Sequence, residues 1–370
     1  MLQSEPPARS PLMLSGLLSR VFAKVGALPF LLVVLIILFS SANKYFLGLQ
    51  NVIDMLHEGV FTSLAALGQL FVLISGGFDL SIGANIALTS IASATVMSGT
   101  YAAYPHDPAL AIAAGTVAGL VVGGVVGLVN GIGVAYLEVN PFIVTLATAS
   151  AFQGVTLLIS QGQEVDSLPK SFVNGVGSAN WIGLPVAVWI AVPLIILLYV
   201  LLARARYGRY IFAIGSSPGA ARVAGIRVPV QILLTYVICA VATSIGGLLL
   251  TARVSAGEPL LGAEYTLTSI TAAVIGGASL RGGEGSVGGT LLGVVFVIFL
   301  SNGMDLMGLS SNHEMIALGA ALIFAVVIDR QRSRAVAAGF RMRMAATSSP
   351  DSDGERPASA PPINVSGKGG

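Results

Sequence analysis

The sequence is poor in charge. Of its 370 residues, 10% are charged and 55% are hydrophobic, whereas soluble domains carry roughly 25% charged residues. The mean hydropathy is +0.86, and the apolar residues form long continuous runs. Continuous runs exclude a β-barrel, whose strands alternate apolar and polar residues over about ten positions. The composition therefore predicts an all-α, polytopic helical membrane protein.

Cysteine and histidine are almost as scarce. A single cysteine, Cys239, excludes an intrachain disulfide, and its apolar surroundings predict a small buried side chain. The histidines, His57, His106 and His313, lie near predicted span ends without metal-ligand spacing, so we expect no metal site. The sequence has no phosphate-binding Gly-x-x-x-x-Gly-Lys-Ser/Thr loop and no Ser/His/Asp or His-Glu-x-x-His arrangement. We therefore expect no catalytic residues on this chain.

The apolar runs predict about ten transmembrane helices and three parts of the chain. The parts are an N-terminal segment (1–27), a transmembrane domain (28–328) and a basic, then disordered, tail (329–370). The predicted spans cover residues 28–42, 52–75, 80–99, 109–136, 142–160, 181–203, 228–251, 266–278, 290–304 and 315–328.

An even number of spans places both termini on one side of the membrane. All lysines and arginines except Lys44, Lys170 and Arg253 fall on that side. The positive-inside rule then makes both termini and the segment 204–227 cytoplasmic.

The chain is organised around Ile74–Gly83, which reads Ile-Ser-Gly-Gly-Phe-Asp-Leu-Ser-Ile-Gly. A carboxylate within a membrane costs about 2.5–3.5 kcal/mol, and adjacent glycines weaken a helix. One interpretation is a helix break that faces inward, and the alternative is a polar turn at the membrane surface. We expect Asp79 to accept backbone hydrogen bonds there. The signature residues are Gly76, Gly77, Asp79, Ser81 and Gly83.

Two further glycine patterns concern the packing of the spans. Glycines recur every four residues from Gly115 to Gly131, which predicts a face for close contact with another helix. Gly276-Gly277-Ala278-Ser279-Leu280 echoes Gly76-Gly77-Phe78-Asp79-Leu80. Either the echo is chance in a glycine-rich chain, or two helix breaks meet near a central path.

The segment 204–227 contains five arginines and no acid. Ser217 and Pro218 predict a helix start, and Gly225 predicts its end. Ala220, Ala221, Val223 and Ala224 would form a small apolar face. This helix either binds a cytoplasmic partner or anchors the loop to anionic lipid.

Several polar residues within the spans are candidates for a translocation path. Each is equally well explained by a hydrogen bond between helices, which is worth about 0.6 kcal/mol on average. Asp79 would be the coupling site of an ion-driven secondary transporter, which is a rival hypothesis. The path candidates are Gln69, Asn130, Thr145, Thr148 and Gln153.

Four motifs, in order, resemble the ribose-type sugar permeases of bacterial ABC importers. They are Gly68-Gln69 with residues 74–83, then 140–146, then Gly208-Arg209 to Gly225, and finally 273–289. The resemblance implies an alternating-access permease in the lipid of the inner membrane, paired with a second copy or a sister permease. It implies cytoplasmic ATPase subunits that hold ATP and magnesium, so that this chain itself has no cofactor. It further implies a periplasmic or lipid-anchored sugar-binding protein outside, and no nucleic-acid partner.

Residues 219–225 resemble the Glu-Ala-Ala-x-x-x-Gly loop through which importer permeases contact their ATPases. Gly219 stands where that pattern has glutamate. Related permeases carry nucleosides or branched-chain amino acids, and the Gly-Gly-Phe-Asp-Leu-Ser form is closer to the sugar branch. The implied coupling loop is Gly219, Ala220, Ala221, Arg222 and Gly225.

Overall fold

The computed structural model of the chain describes residues 28–327. The predicted N-terminal segment, 1–27, and the predicted tail, 329–370, lie outside the described residues. The helices are α1 (Leu28–Ala42), α2 (Leu49–Ile74), α3 (Ile82–Ala103), α4 (Pro108–Ala135), α5 (Pro141–Ser160), α6 (Val186–Ala203), α7 (Arg206–Ser216), α8 (Pro218–Val223), α9 (Val228–Val254), α10 (Tyr265–Ile275), α11 (Val287–Leu306) and α12 (Ser311–Val327).

Seven of these helices are long and apolar enough to cross a membrane, namely α2, α3, α4, α5, α6, α9 and α11. Three shorter apolar helices, α1, α10 and α12, accompany them. Each of the ten predicted spans therefore coincides with an apolar helix, and seven of those have the length of a full crossing.

The sixth helix starts later than the sequence predicts. Residues 180–185 form a two-stranded hairpin, β1 (Asn180–Trp181) and β2 (Leu184–Pro185), and α6 begins only at Val186. Gly183 turns the hairpin with a φ of +78°, a conformation that favours glycine. The preceding segment, predicted as a loop, contains a short helix, Lys170–Phe172, that continues as a π-helix, Val173–Ser178.

Helix α2 lies at the centre of the bundle. Every residue from Val60 to Ile74 is buried, and α2 contacts α6, α9, α10 and α11. A helix that is apolar on all sides is stable only when neighbours cover all of them. By contrast α5 buries none of its apolar side chains and α6 buries only Ala187, Ala191, Leu198 and Leu202, as expected of helices whose outer faces contact lipid.

The glycine-rich face of α4 packs directly on its neighbours, as the four-residue spacing predicts. A Cβ at Gly127 would lie 2.6 Å from the Val237 Cα of α9, and one at Gly115 would lie 2.7 Å from the Ser93 carbonyl oxygen of α3. The backbones approach so closely because no side chain separates them. This contact positions α9 beside the break that follows α2.

Candidate functional site

Helix α2 ends in a glycine cap at the predicted break. Gly76 has a φ of +84°, its N–H donates to the Leu73 carbonyl at 2.9 Å, and the Gly77 N–H donates to the Val72 carbonyl at 2.9 Å. These two bonds define a Schellman motif, which satisfies the last carbonyls of a helix. Gly77 also leaves room for Tyr236, since a Cβ there would lie 2.7 Å from the Tyr236 hydroxyl oxygen.

Asp79 is buried and holds the far side of the break. Its Oδ1 accepts the Ser81 N–H at 2.8 Å and the Ser81 hydroxyl at 2.6 Å, and only 1% of the residue is exposed. Its Oδ2 faces the Cys239 Sγ at 3.7 Å. The carboxylate thus accepts the backbone bond expected of it, directly before α3 begins at Ile82.

The Ser81 hydroxyl continues this network into α4 and α5. It accepts from the Asn130 Nδ2 at 2.7 Å, and the Asn130 Oδ1 accepts from the Thr148 hydroxyl at 2.6 Å. Asn130 is fully buried. Thr145, one turn before Thr148, donates instead to the Pro141 carbonyl of its own helix at 2.8 Å. Three predicted path residues therefore lie close together, and each has a partner within the protein.

The two glutamines of the predicted path lie elsewhere. The Gln153 Nε2 donates to the Pro259 carbonyl at 2.8 Å, which ties α5 to the segment before α10. Gln69 is fully buried in α2, and within the described residues neither its Oε1 nor its Nε2 has a hydrogen-bond partner. An unpartnered buried polar group costs about 1–3 kcal/mol.

The second glycine motif repeats the first with a shift of one residue. Gly277, with a φ of +94°, donates to the Val274 carbonyl at 2.9 Å, and Ala278 donates to the Ala273 carbonyl at 2.9 Å. These bonds make the same Schellman motif, so Gly277 rather than Gly276 corresponds to Gly76. The two breaks therefore share a backbone structure that is common at helix ends, and Leu280 takes the place of Asp79.

Gly83, the last signature residue, lies at the start of α3. Its N–H donates to the Thr266 hydroxyl at 2.9 Å, and a Cβ there would lie 2.7 Å from the Gly262 carbonyl oxygen. This close contact joins α3 to the start of α10.

The segment between α6 and α9 forms two helices, α7 and α8. The Ser217 hydroxyl caps α8 by accepting the Ala220 N–H at 3.3 Å, Pro218 is its first residue, and Gly225 ends it with a φ of +81°. Arg222 pairs with Glu138 at 3.7 Å. These boundaries match the helix predicted from Ser217, Pro218 and Gly225.

The apolar face of α8 differs from the predicted one. Ala221 is buried in a cluster with Ile214 and Val228, so it cannot contact a partner. Gly219, Ala220, Arg222 and Gly225 are exposed, and Val223 is 91% exposed. The exposed surface of α8 therefore includes Gly219, Ala220, Arg222 and Val223.

Sequence reasoning missed α7 and the residues of α9 that face the break. The Tyr236 hydroxyl of α9 donates to the Phe78 carbonyl at 3.1 Å. The Tyr207 hydroxyl of α7 donates to the Thr235 hydroxyl at 2.8 Å, and the Thr235 hydroxyl donates to the Gln231 carbonyl. Burial raises the pKa of the Tyr207 phenol above its ordinary value, so it stays a neutral donor. The period of α7, with Ile211 and Ile214 buried, is the signal that would have identified it.

Residues 51–327 match the family described as the permease component of the branched-chain amino acid transport system. The chain belongs to this permease family. The matched range extends from the start of α2 to the end of α12, so it contains both breaks and the α7–α8 pair, and it confirms the predicted resemblance.

Curated relatives of the permease match most of its length. It is 36% identical to the ribose import permease RbsC of Bacillus subtilis (strain 168), over 85% of this chain and 94% of the relative. It is 33% identical to the D-allose transport system permease AlsC of Escherichia coli (strain K12), over 82% of this chain and 91% of the relative. It is 34% identical to the L-arabinose transport system permease AraH of the same strain, over 82% of this chain and 91% of the relative. No solved structure matches the chain.

Proposed function

We propose that the permease is the membrane-spanning subunit of an ABC importer that admits a monosaccharide to the bacterial cytoplasm. The observation that carries this proposal is the similarity, along more than 80% of the chain, to permeases named for ribose, allose and arabinose. An external binding protein delivers the sugar, and a second copy or a sister permease completes the membrane part.

The proposed topology has ten spans in the inner membrane, with α1, α10 and α12 adding to the seven long helices. Both termini, α7 and α8 then lie in the cytoplasm, as the distribution of lysine and arginine favours. The contact between Arg222 of α8 and Glu138, which follows α4, supports this topology because it requires both segments on one side.

The ATPase subunits bind at α8 in this proposal, and they hold the ATP and magnesium. The adjacent exposed side chains of Ala220, Val223 and Ala224 support this, because a group of exposed apolar side chains on one helix offers a surface for a partner. When the ATPases close and separate, α8 moves, and the spans alternate between outward and inward access.

The polar network describes one state of that cycle. Asn130 and Thr148 satisfy each other, so in this state they hold α4 against α5 rather than contact sugar. Gln69 has no such partner, and we assign it as the path residue that hydrogen-bonds the sugar when the path is open.

The test is a pull-down in mild detergent that compares wild type with Val223→Glu and Arg222→Glu. We expect an ATPase with a phosphate-binding loop to copurify with wild type, and both variants to release it while they remain folded. Lys170 is exposed and lies in the segment between α5 and α6, outside α8. The control Lys170→Glu changes the net charge by the same amount as Arg222→Glu and should keep the ATPase bound.

The opposite outcome is a wild-type chain that purifies alone and moves solute in liposomes under an ion gradient. That result would establish the secondary transporter and overturn the importer. Competition for uptake by ribose, allose, arabinose, nucleosides and branched-chain amino acids then identifies the substrate class, with a pentose or hexose expected to compete best.

A further inference from the structure

Three separate segments of the chain meet without side chains between them. They are the end of α2 at Ile74–Gly76, the end of α7 at Gly215–Ser216 and the loop at Gly282–Gly283. The Gly283 N–H donates to the Ile74 carbonyl at 2.8 Å. We name Gly76, Gly215, Gly282 and Gly283 the glycine junction.

A side chain at the junction would collide with backbone. A Cβ at Gly215 would overlap the Ile74 carbonyl oxygen and lie 2.5 Å from the Gly283 nitrogen. A Cβ at Gly282 would lie 2.8 Å from the Gly76 Cα and 3.1 Å from the Gly215 Cα. Gly282 and Gly283 also have φ values of +85° and +76°, which favour glycine.

The junction connects the two helix breaks with the proposed ATPase contact. On one side Ser216 leads directly into the cap of α8 at Ser217. On the other side Gly76 begins the first break, and Gly282 follows the second, where its N–H donates to the Ser279 carbonyl at 3.1 Å. The first break leads on through Asp79 and Ser81 to Asn130 of α4.

Backbone contact transmits displacement more directly than a layer of side chains does. Side chains change rotamer and absorb a shift, whereas close-packed backbones have little free volume to yield. The Tyr207 bond to Thr235 at 2.8 Å holds the other end of α7 on α9, so α7 is tied to the bundle at both ends.

We propose that the glycine junction is a rigid connection by which a movement of α8 reaches both helix breaks together. Gly215 and Gly283 are its positioning residues. The proposal rests on the proposed function for the source of the movement, and it assigns these residues no contact with sugar or ATP.

The first test is a reversible cross-link across the junction. A Cβ at Gly283 would lie 2.6 Å from the Ser216 Oγ, which is close to disulfide reach, so Ser216→Cys with Gly283→Cys should form a disulfide on oxidation. Transport in proteoliposomes is compared before oxidation, after it and after reduction, with each single variant as a control. Native Cys239 is fully buried and stays in place.

A rigid connection keeps its geometry through the cycle, so oxidation should leave the transport rate within about twofold of the reduced sample. A fall of about tenfold or more on oxidation that reduction reverses would overturn the proposal, because the segments would then have to separate in each cycle. Gly283→Cys adds a side chain at a positive φ, so the reduced double variant is expected to move less sugar than wild type. Oxidation is judged only against a reduced sample whose transport exceeds that of empty liposomes. Where the reduced sample shows no such transport, the Gly215→Ala comparison decides the proposal.

The second test compares Gly215→Ala with Gly99→Ala, a change in α3 whose Cβ would meet nothing within 4 Å. With the ATPase still copurifying, Gly215→Ala should lower the sugar moved per ATP hydrolysed by about tenfold or more, while Gly99→Ala keeps that ratio. A folded Gly215→Ala variant with the wild-type ratio would overturn the proposal. If wild type binds no ATPase, the proposed function fails, and the cross-link test still decides the junction under whichever gradient drives transport.

Discussion

Asp79 and Gln69 are both polar and buried, yet they differ in whether their side chains have hydrogen-bond partners. Asp79 accepts two hydrogen bonds from Ser81, and Gln69 has none within the described residues. A satisfied buried group stabilises the fold, and an unpartnered one lowers the free energy of unfolding. The first is therefore structural in this state, and the second has bonding capacity for a ligand.

Replacing Asp79 separates a structural role from an ion-coupling role. Asp79→Ala leaves the Ser81 N–H and hydroxyl without their acceptor, so the free energy of unfolding should fall by about 1–3 kcal/mol. Asp79→Asn keeps an acceptor oxygen and should retain most of the stability and the transport. Thermal unfolding in detergent and uptake in proteoliposomes check this. Loss of transport in a stable Asp79→Asn variant would instead support ion coupling.

Replacing Gln69 should lower transport without lowering stability. Gln69→Leu removes two unpartnered polar atoms at similar volume, so the melting temperature should stay equal or rise. Transport should fall by several-fold to about tenfold, which corresponds to one or two lost hydrogen bonds of about 0.5–1.5 kcal/mol each. Thr148→Val is the contrasting control, since it breaks the bond to Asn130 and should lower the melting temperature. A lower melting temperature for Gln69→Leu would contradict the assignment.

At the scale of elements, glycine has two different roles in this bundle. In α4 it removes side chains so that α9 and α3 approach the helix, whereas at Gly76 and Gly277 it supplies the positive φ that ends α2 and α10. The first role depends on what lies opposite, and the second depends on the local backbone alone.

Two neighbouring glycines of α4 provide a matched test of the packing role. A Cβ at Gly127 would lie 2.6 Å from the Val237 Cα, and one at Gly124 would meet nothing within 4 Å. Gly127→Ala should destabilise the protein by about 1–3 kcal/mol through overpacking, and Gly124→Ala should be neutral or stabilise it by up to about 1 kcal/mol through helix propensity. Melting temperatures of the two variants in one detergent compare them directly. Equal values would show that α4 does not depend on this contact.

At the scale of the whole molecule, the proposed topology places α7 and α8 opposite the segment that joins α5 to α6. Asp166 lies in that segment and Arg204 directly follows α6, and both are exposed. One helix, α6, lies between the segment and Arg204, so the two positions should lie on opposite sides of the membrane.

Thiol labelling in intact cells tests this topology. A membrane-impermeant maleimide should label Asp166→Cys directly, and it should label Arg204→Cys only after the membrane is permeabilised. The parent protein is the control, because Cys239 is fully buried and should stay unlabelled in both conditions. Labelling of Arg204→Cys in intact cells would reverse the topology.

The sequence by itself determined the helical membrane class, the positions of the apolar helices, the α4 contact face and the limits of α8. Each depends on a local signal, namely an apolar run, a four-residue spacing, a capping serine or a glycine just after a helix. Only the tertiary structure decided that Ala221 faces inward, that Gly277 rather than Gly276 matches Gly76, and that Gly215 contacts the end of α2 and the loop after the second break. The burial of Ala221 depends on how α7, α8 and α9 pack, and the choice of Gly277 depends on where the last hydrogen bonds of α10 fall. The contacts of Gly215 join segments that are distant in the sequence, and no local pattern encodes such contacts.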